Sequence, residues 1–369
     1  MMPYDGPVID CDVHHTWPDL EHIVSRLPAD ARERLRERAF RLRPGTAYPG
    51  AGGANKRLDS YGPEGEPPGS SLAMAQRQLF DPFKVERAVM TFDVGHEASE
   101  PNPYLARQLA RAMNDWSIET WLEAGDERVR GAVIVNTHVP EDAAAEIRRV
   151  GGHPRMAQVL LAGAGLGMPL GHPAYHAIYD AAQEVGLPIA IHVGGETAYQ
   201  LSAGAQPISR LDYYGVTGQP VVHHLLSLIV HGVFERFPAL NAIIVEAGVA
   251  WLPWLVTKLD AAYADLRRET PWVKRLPSEY LRERVGLTTQ PLELTPAAGQ
   301  LTDYLSVVPG VEDMLCFASD YPHWDADELR FIGRRIPVEW HSRLFYENAC
   351  RLYGWDASTE ARRALEAAA

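Results

Sequence analysis

Two histidines and two aspartates in this 369-residue chain stand just beyond short apolar runs, where their side chains could converge on one metal ion. Asp12 and His14 follow Val8-Ile9-Asp10-Cys11, His192 follows Pro188-Ile189-Ala190-Ile191, and Asp320 follows Leu315-Cys316-Phe317-Ala318-Ser319. Asp12 and His14 occupy alternate positions, which on a strand face the same way, as chelation from a strand requires. Each residue alone has a plainer reading. Asp-x-His pairs arise by chance, a histidine between apolar residues usually bonds to backbone, and an aspartate often caps a turn. Taken together, two imidazoles and one or two carboxylates make a mixed nitrogen and oxygen set suited to zinc, manganese or iron, with room for a water ligand. His323 lies three residues past Asp320 and could orient it or touch substrate.

Such a set needs a frame that brings distant strand ends to one rim. Apolar runs of strand length occur at 8–11, 87–92, 129–135, 156–161, 188–191, 241–246, 285–288 and 314–318. Helical patterns separate them at 72–84, 103–123, 140–150, 172–185, 221–234, 249–268 and 296–307, and a last one follows at 337–353. Eight strands alternating with helices predict an α/β fold, a (β/α)8 TIM barrel in which all of 1–369 forms one unit. A doubly wound open sheet is the rival, but no Gly-x-Gly-x-x-Gly turn follows the first strand. Helical sequence at 21–43, broken near Pro28, leads into a Gly/Pro-rich insertion after strand 1, at about 44–71, expected as a lid or a partner contact. A second Gly/Pro/polar stretch spans 194–220.

Composition narrows the function classes. A hydrophobic share of 46% with 22% charged residues suits a globular protein with a sizeable core. The net charge of −13 argues against a nucleic-acid surface. Cys11, Cys316 and Cys350 are too few for a disulfide scaffold and read as reduced, buried thiols. No apolar run is long enough to span a membrane and no signal peptide is visible, so the expected location is cytoplasmic. The expected partner is a small-molecule substrate, and Tyr48 and Tyr61 in the insertion offer a homodimer contact.

The combination of motifs resembles the amidohydrolase superfamily, in its amidohydrolase-related branch with the aminocarboxymuconate-semialdehyde decarboxylase-like enzymes. The likeness runs from about Val8 to Tyr353. It rests on Ile-Asp-Cys-Asp-Val-His14, Gly-Leu-Pro-Ile-Ala-Ile-His192, Gly-Val-Phe-Glu-Arg-Phe-Pro238, Val-Glu-Ala-Gly-Val-Ala-Trp-Leu-Pro253, Ala-Ser-Asp-Tyr-Pro-His-Trp-Asp325 and Glu-Asn-Ala-Cys-Arg-Leu-Tyr353. The resemblance implies a distorted barrel and one divalent ion, zinc or manganese, carried by Asp12, His14, His192 and Asp320. Much of the superfamily has His-x-His on strand one, where this chain has Asp12. Decarboxylating members usually place a histidine at the end of strand six, where this chain has Glu246.

The expected function is therefore metal-dependent hydrolysis of an amide, lactone or related carbonyl compound. Asp320 accepts the proton of a metal-activated water and returns it to the leaving group, with Glu246 and His323 beside it. The alternative is a metal-dependent non-oxidative decarboxylase of an aromatic or unsaturated acid, and the third reading a catalytically inactive binding barrel. His223 and His224, in an apolar helix, are expected to reach substrate. His15, His172 and His176 are expected in structural or capping roles, and Trp251 and Trp254 in the core.

Overall fold

Val8–His15 (β1) is buried along its whole length, as expected of a strand covered on both faces. Seven more strands follow: Val85–Phe92 (β2), Val129–Ile134 (β3), Met156–Leu161 (β4), Ile189–His192 (β5), Ala242–Val245 (β6), Val285–Thr288 (β7) and Leu315–Cys316 (β8). The computed structural model describes residues 4–37, 55–92, 100, 102–163, 167–194, 207–297 and 299–356. All strands are parallel, in the order β1 to β8.

The seam between β8 and β1 is closed by backbone bonds beyond the end of β8. Cys11 N–H donates to the Phe317 carbonyl at 3.0 Å, Asp320 N–H to the Asp12 carbonyl at 3.1 Å, and His14 N–H to the Tyr321 carbonyl at 2.7 Å. The result is the expected α/β architecture, a (β/α)8 barrel. Strand β8 is shorter than the apolar run because Phe317 N–H turns to the Leu344 carbonyl and leaves the β7 ladder.

Helices cover the outside. Pro103–Ser117 starts on Asn102, whose side-chain oxygen accepts from Tyr104 and Leu105 N–H. Pro140–Val150 also carries proline in its first turn, where a missing N–H costs nothing. His176–Val185 ends at Gly186 in the left-handed conformation. The helix expected at 221–234 begins earlier, as Gly218–Val230, then breaks at left-handed Gly232 and resumes as Val233–Arg236. Within the stretch expected to be irregular, Arg210–Val216 is helical because Ser209 caps it, its hydroxyl accepting from Asp212 N–H at 3.1 Å. The helix expected at 337–353 is broken too, closing as Asn348–Tyr353.

The end of the helical stretch, 38–43, and the first part of the insertion, 44–54, with Tyr48, lie outside the described residues. From Asn55 onward it is strapped to the rim: Trp324 N–H donates to the Asn55 carbonyl at 2.9 Å, Arg57 N–H to Pro322 at 3.0 Å, and Thr16 N–H to Gly69 at 3.0 Å. Gly69 has φ +73°, and a Cβ there would stand 2.6 Å from the His14 carbonyl oxygen. Only glycine fits that approach. Cys11, Cys316 and Cys350 are free and buried. Among the described residues no helix is long and apolar enough to cross a membrane.

Candidate metal centre

Closing the barrel at the β8/β1 seam sets Asp320 against Asp12 and His14, and β5 supplies His192 from the far side. Asp12 Oδ2 lies 3.5 Å from His14 Nε2 and 3.2 Å from His192 Nε2. His14 Nε2 lies 2.9 Å from Asp320 Oδ1, and His192 Nε2 lies 3.5 Å from Glu246 Oε2. One donor atom each from Asp12, His14, His192 and Glu246 falls within 4.8 Å of the others, and so does a second group of His14, Glu246, Asp320 and His323. Asp12, His14 and Asp320 are fully buried, while Glu246 keeps 13% of its side chain exposed.

The strand ends themselves do the aiming. Glu246 and Asp320 both adopt φ near +60°, at +57° and +59°. This region is costly for residues other than glycine, and such strain tends to persist where a site depends on it. Glu246 stands immediately after β6, and Asp320 in the turn that follows β8. Trp251 Nε1 ties the turn after Glu246 by donating to the Ala247 and Gly248 carbonyls at 3.1 and 3.0 Å.

Further hydrogen bonds fix the donors. Thr91, at the end of β2, donates its hydroxyl to Asp12 Oδ1 at 2.6 Å. His14 Nδ1 donates to the Phe92 carbonyl at 3.1 Å, which leaves Nε2 as the free face of the ring. His192 Nδ1 is 2.5 Å from the Val193 carbonyl, and its Nε2 likewise faces the cluster. Gln290, after β7, donates from Nε2 to Asp320 Oδ2 at 2.9 Å, and His323 Nδ1 sits 2.5 Å from Asp320 Oδ1. Asp10 Oδ1 accepts from Ser319 N–H at 2.9 Å and from Asp12 N–H at 3.3 Å, clamping the seam below the donors.

The electrostatics are those of a cluster that wants a cation. Burial works against charge on His14, but Asp12 and Asp320 override it and hold its imidazole well above the ordinary range. Burial likewise opposes ionisation of Asp12, yet His14 and His192 keep its carboxyl well below the usual value. Asp320 is lowered by His323 and His14 in the same way. Glu246 goes in the opposite direction: burial, then Asp320 and Asp325, push it well above its ordinary range. His14 Nε2 is buried and makes no hydrogen bond, although Asp320 Oδ1 lies 2.9 Å away. An imidazole nitrogen oriented by a bond on its other face and left unbonded among carboxylates fits a metal ligand. This buried Asp/His/Glu group fits one divalent metal ion.

The structure brings Asp12, His14, His192, Glu246, Asp320 and His323 together as expected. It separates the two helix histidines. His223 lines a cavity next to the cluster, whereas His224 is buried and its Nδ1 accepts from Leu170 N–H at 3.3 Å. The expectation that His224 contacts substrate is corrected: the apolar helix turns it toward the 167–171 loop, where burial lowers its pKa to about 4. His15 bonds to the Thr91 carbonyl and the Ser117 hydroxyl, and His172 caps the turn at Ala174, both as expected. Trp254 departs from expectation, being 55% exposed along the cavity wall. Thr91, Gln290 and Asp10 were not singled out from sequence. Thr91 and Gln290 shared the signal that marked the others, a polar residue at the end of an apolar run.

A parallel barrel with a metal-binding cluster at the C-terminal rim defines an enzyme class in which loop residues select the reaction. The chain belongs to the amidohydrolase family, whose model matches residues 9–355. No curated protein is significantly similar in sequence. Among solved structures, an amidohydrolase from Mycobacterium avium subsp. paratuberculosis has 21% identity and a TM-score of 0.71, the match covering 96% of this chain and 100% of that one. A 5-carboxyvanillate decarboxylase from Sphingomonas paucimobilis has 20% identity and a TM-score of 0.67, covering 95% and 100%. A dihydroxybenzoic acid decarboxylase from Polaromonas sp., solved with manganese and the inhibitor 2-nitroresorcinol, has 19% identity and a TM-score of 0.62, covering 96% and 99%. At these identities the likeness establishes the shared fold.

Proposed function

We propose that this chain is a metal-dependent, non-oxidative decarboxylase of a small aromatic or unsaturated carboxylic acid, with Asp12, His14, His192 and Asp320 as the metal ligands. This reading is supported over hydrolysis by solved structures of the same fold, among them a 5-carboxyvanillate decarboxylase and a dihydroxybenzoic acid decarboxylase. It is supported also by Glu246 at the end of β6, whose carboxyl stands 3.5 Å from His192 Nε2 beside the ligands. From sequence, glutamate in place of histidine favoured hydrolysis. In its protonated form a carboxyl at that place can do the acid's work that the histidine was expected to do.

A divalent ion, manganese or zinc, would supply a Lewis-acidic centre that draws the substrate carboxylate and a neighbouring oxygen into place. The residues then divide the work. Glu246 delivers its proton to the substrate carbon while the bond from that carbon to the carboxylate breaks. The electron pair of the broken bond forms the new C–H bond, carbon dioxide leaves, and Glu246 regains a proton from water. His323 and Gln290 hold Asp320 on both oxygens, so its position does not depend on substrate. Ala247 and Gly248, next to Glu246, line the adjoining cavity through which substrate enters.

Hydrolysis remains the second reading, favoured by one observation: Asp320 is fixed at the rim by His323 and Gln290, where a carboxylate can accept a proton from water. The two reactions separate cleanly in one assay. Protein loaded with manganese or zinc is incubated with a panel of 2-hydroxybenzoates and with a panel of lactones and amides. Release of carbon dioxide from the first panel, abolished by Glu246→Gln, is the expected result. Turnover confined to the second panel would replace the decarboxylase by the hydrolase.

A further inference from the structure

Beside the metal centre lies a cavity of about 960 Å³, at the large end of the range that holds small ligands. Ala247 and Gly248, after Glu246, and Pro291, after Gln290, line its inner end, so it adjoins the cluster. Val222, Leu226, Trp251, Trp254, Leu255 and Phe331 supply its apolar lining. Its charged lining is mainly acidic. Among the described residues Glu293, Asp325 and Asp327 line it, His223 is the one basic side chain, and there is no lysine or arginine.

Two of these carboxylates are engaged elsewhere. Glu293 accepts from Val249 and Ala250 N–H at 2.9–3.1 Å, and Asp327 Oδ2 accepts from Leu292 N–H at 2.8 Å. Asp325 takes a side-chain hydrogen bond from Tyr214, another lining residue, and its Oδ1 is buried without a hydrogen-bond partner. Lys258 approaches the Trp254 ring, 5.7 Å from its centroid, and is not part of the lining. A space with aromatic walls, an unbonded carboxylate oxygen and no counter-cation is complementary to an ammonium group on an apolar body. It is a poor host for a second carboxylate, which would be desolvated among like charges.

We propose that this cavity is a binding site for the distal part of the substrate, and that this part is an aryl or alkyl group ending in a primary amine, met by Asp325. The proposal rests on the decarboxylase reading only in calling the occupant a substrate. The chemistry of the cavity holds independently of the reaction at the metal.

The test is calorimetric titration of manganese-loaded protein with two probes of equal length: 4-phenylbutylamine and 4-phenylbutan-1-ol. The amine is expected to bind about tenfold more tightly than the alcohol, a difference of about 1.4 kcal/mol. Asp325→Asn should erase the preference for amine over alcohol while leaving alcohol affinity in place. Trp254→Ala, at an exposed wall position that folding does not depend on, should weaken both at least fivefold. Alcohol binding as tight as amine, no binding of either probe, or unchanged affinities in Trp254→Ala would each overturn the proposal. Manganese content is measured on every sample. Absent metal with amine binding intact would refute the decarboxylase reading alone, whereas full metal with no amine preference would refute this inference alone.

Discussion

His14 Nε2 lies 2.9 Å from Asp320 Oδ1, across a seam between residues 306 positions apart in the chain. The contact exists because β1 and the turn after β8 exchange backbone bonds at Asp12, His14 and Asp320. Barrel closure and assembly of the centre are therefore one event. A change that loosens the seam should be felt first in metal affinity.

Gly69 gives a direct test of that coupling, although it belongs to the insertion and donates no ligand. Gly69→Ala places a Cβ against the His14 carbonyl and forces alanine into a left-handed backbone. The expected cost is about 2 kcal/mol of stability, with weaker manganese binding read by titration. Unchanged affinity and melting temperature would show that the strap is not tied to the centre.

Thr91→Val keeps shape and removes the 2.6 Å bond to Asp12 Oδ1. Loss of such a supporting bond typically lowers metal affinity about 10–100-fold. Competition with a chromogenic chelator measures it. A wild-type value would mean that Asp12 is held by its other contacts alone.

Asp320→Asn should fold normally, because the amide can still accept one of the bonds from His323 and Gln290. It removes the charge that faces His14. Metal affinity should fall at least about 10-fold and turnover with it, with the melting temperature within a few degrees of wild type. Retained turnover would exclude Asp320 from the reaction.

His224 predicts a pH signature of the fold rather than of the site. Burial lowers its pKa from 6.5 to about 4, so the folded chain favours the neutral ring. Between these values the unfolded chain binds the extra proton. The stabilisation is thus complete above pH 6.5 and is lost as pH falls toward 4, by at most about 3 kcal/mol. In His224→Gln, which preserves an acceptor for Leu170 N–H, denaturant midpoints should fall less steeply over this window. Parallel curves for variant and wild type would remove His224 as the cause.

The strand ends were the legible part of this sequence. A short apolar run that stops at a polar residue marks both a buried parallel strand and the rim where ligands collect, so β1, β5 and β8 could be read together with Asp12, His14, His192 and Asp320. Helix ends were less legible where glycine and local capping decide them, as at Gly232 and Ser209. Thr91 and Gln290 escaped because their role comes from partners 79 and 30 residues away. His223 and His224 show the limit most clearly. Adjacent on a helix, they differ by about 100° in direction, and only the packing of the 167–171 loop decides which one it takes in. Trp254 read as core because helical spacing cannot tell a wall of packed side chains from the wall of a cavity.

The central claim is that this barrel holds one catalytic metal ion, and metal content per chain tests it most directly. Protein is equilibrated with manganese or zinc, freed of excess ion and analysed by elemental mass spectrometry beside His192→Ala. One ion per chain in the wild type, lost in a folded His192→Ala, is the predicted result. A folded wild type that retains neither ion would contradict the account and leave a barrel that binds without catalysing.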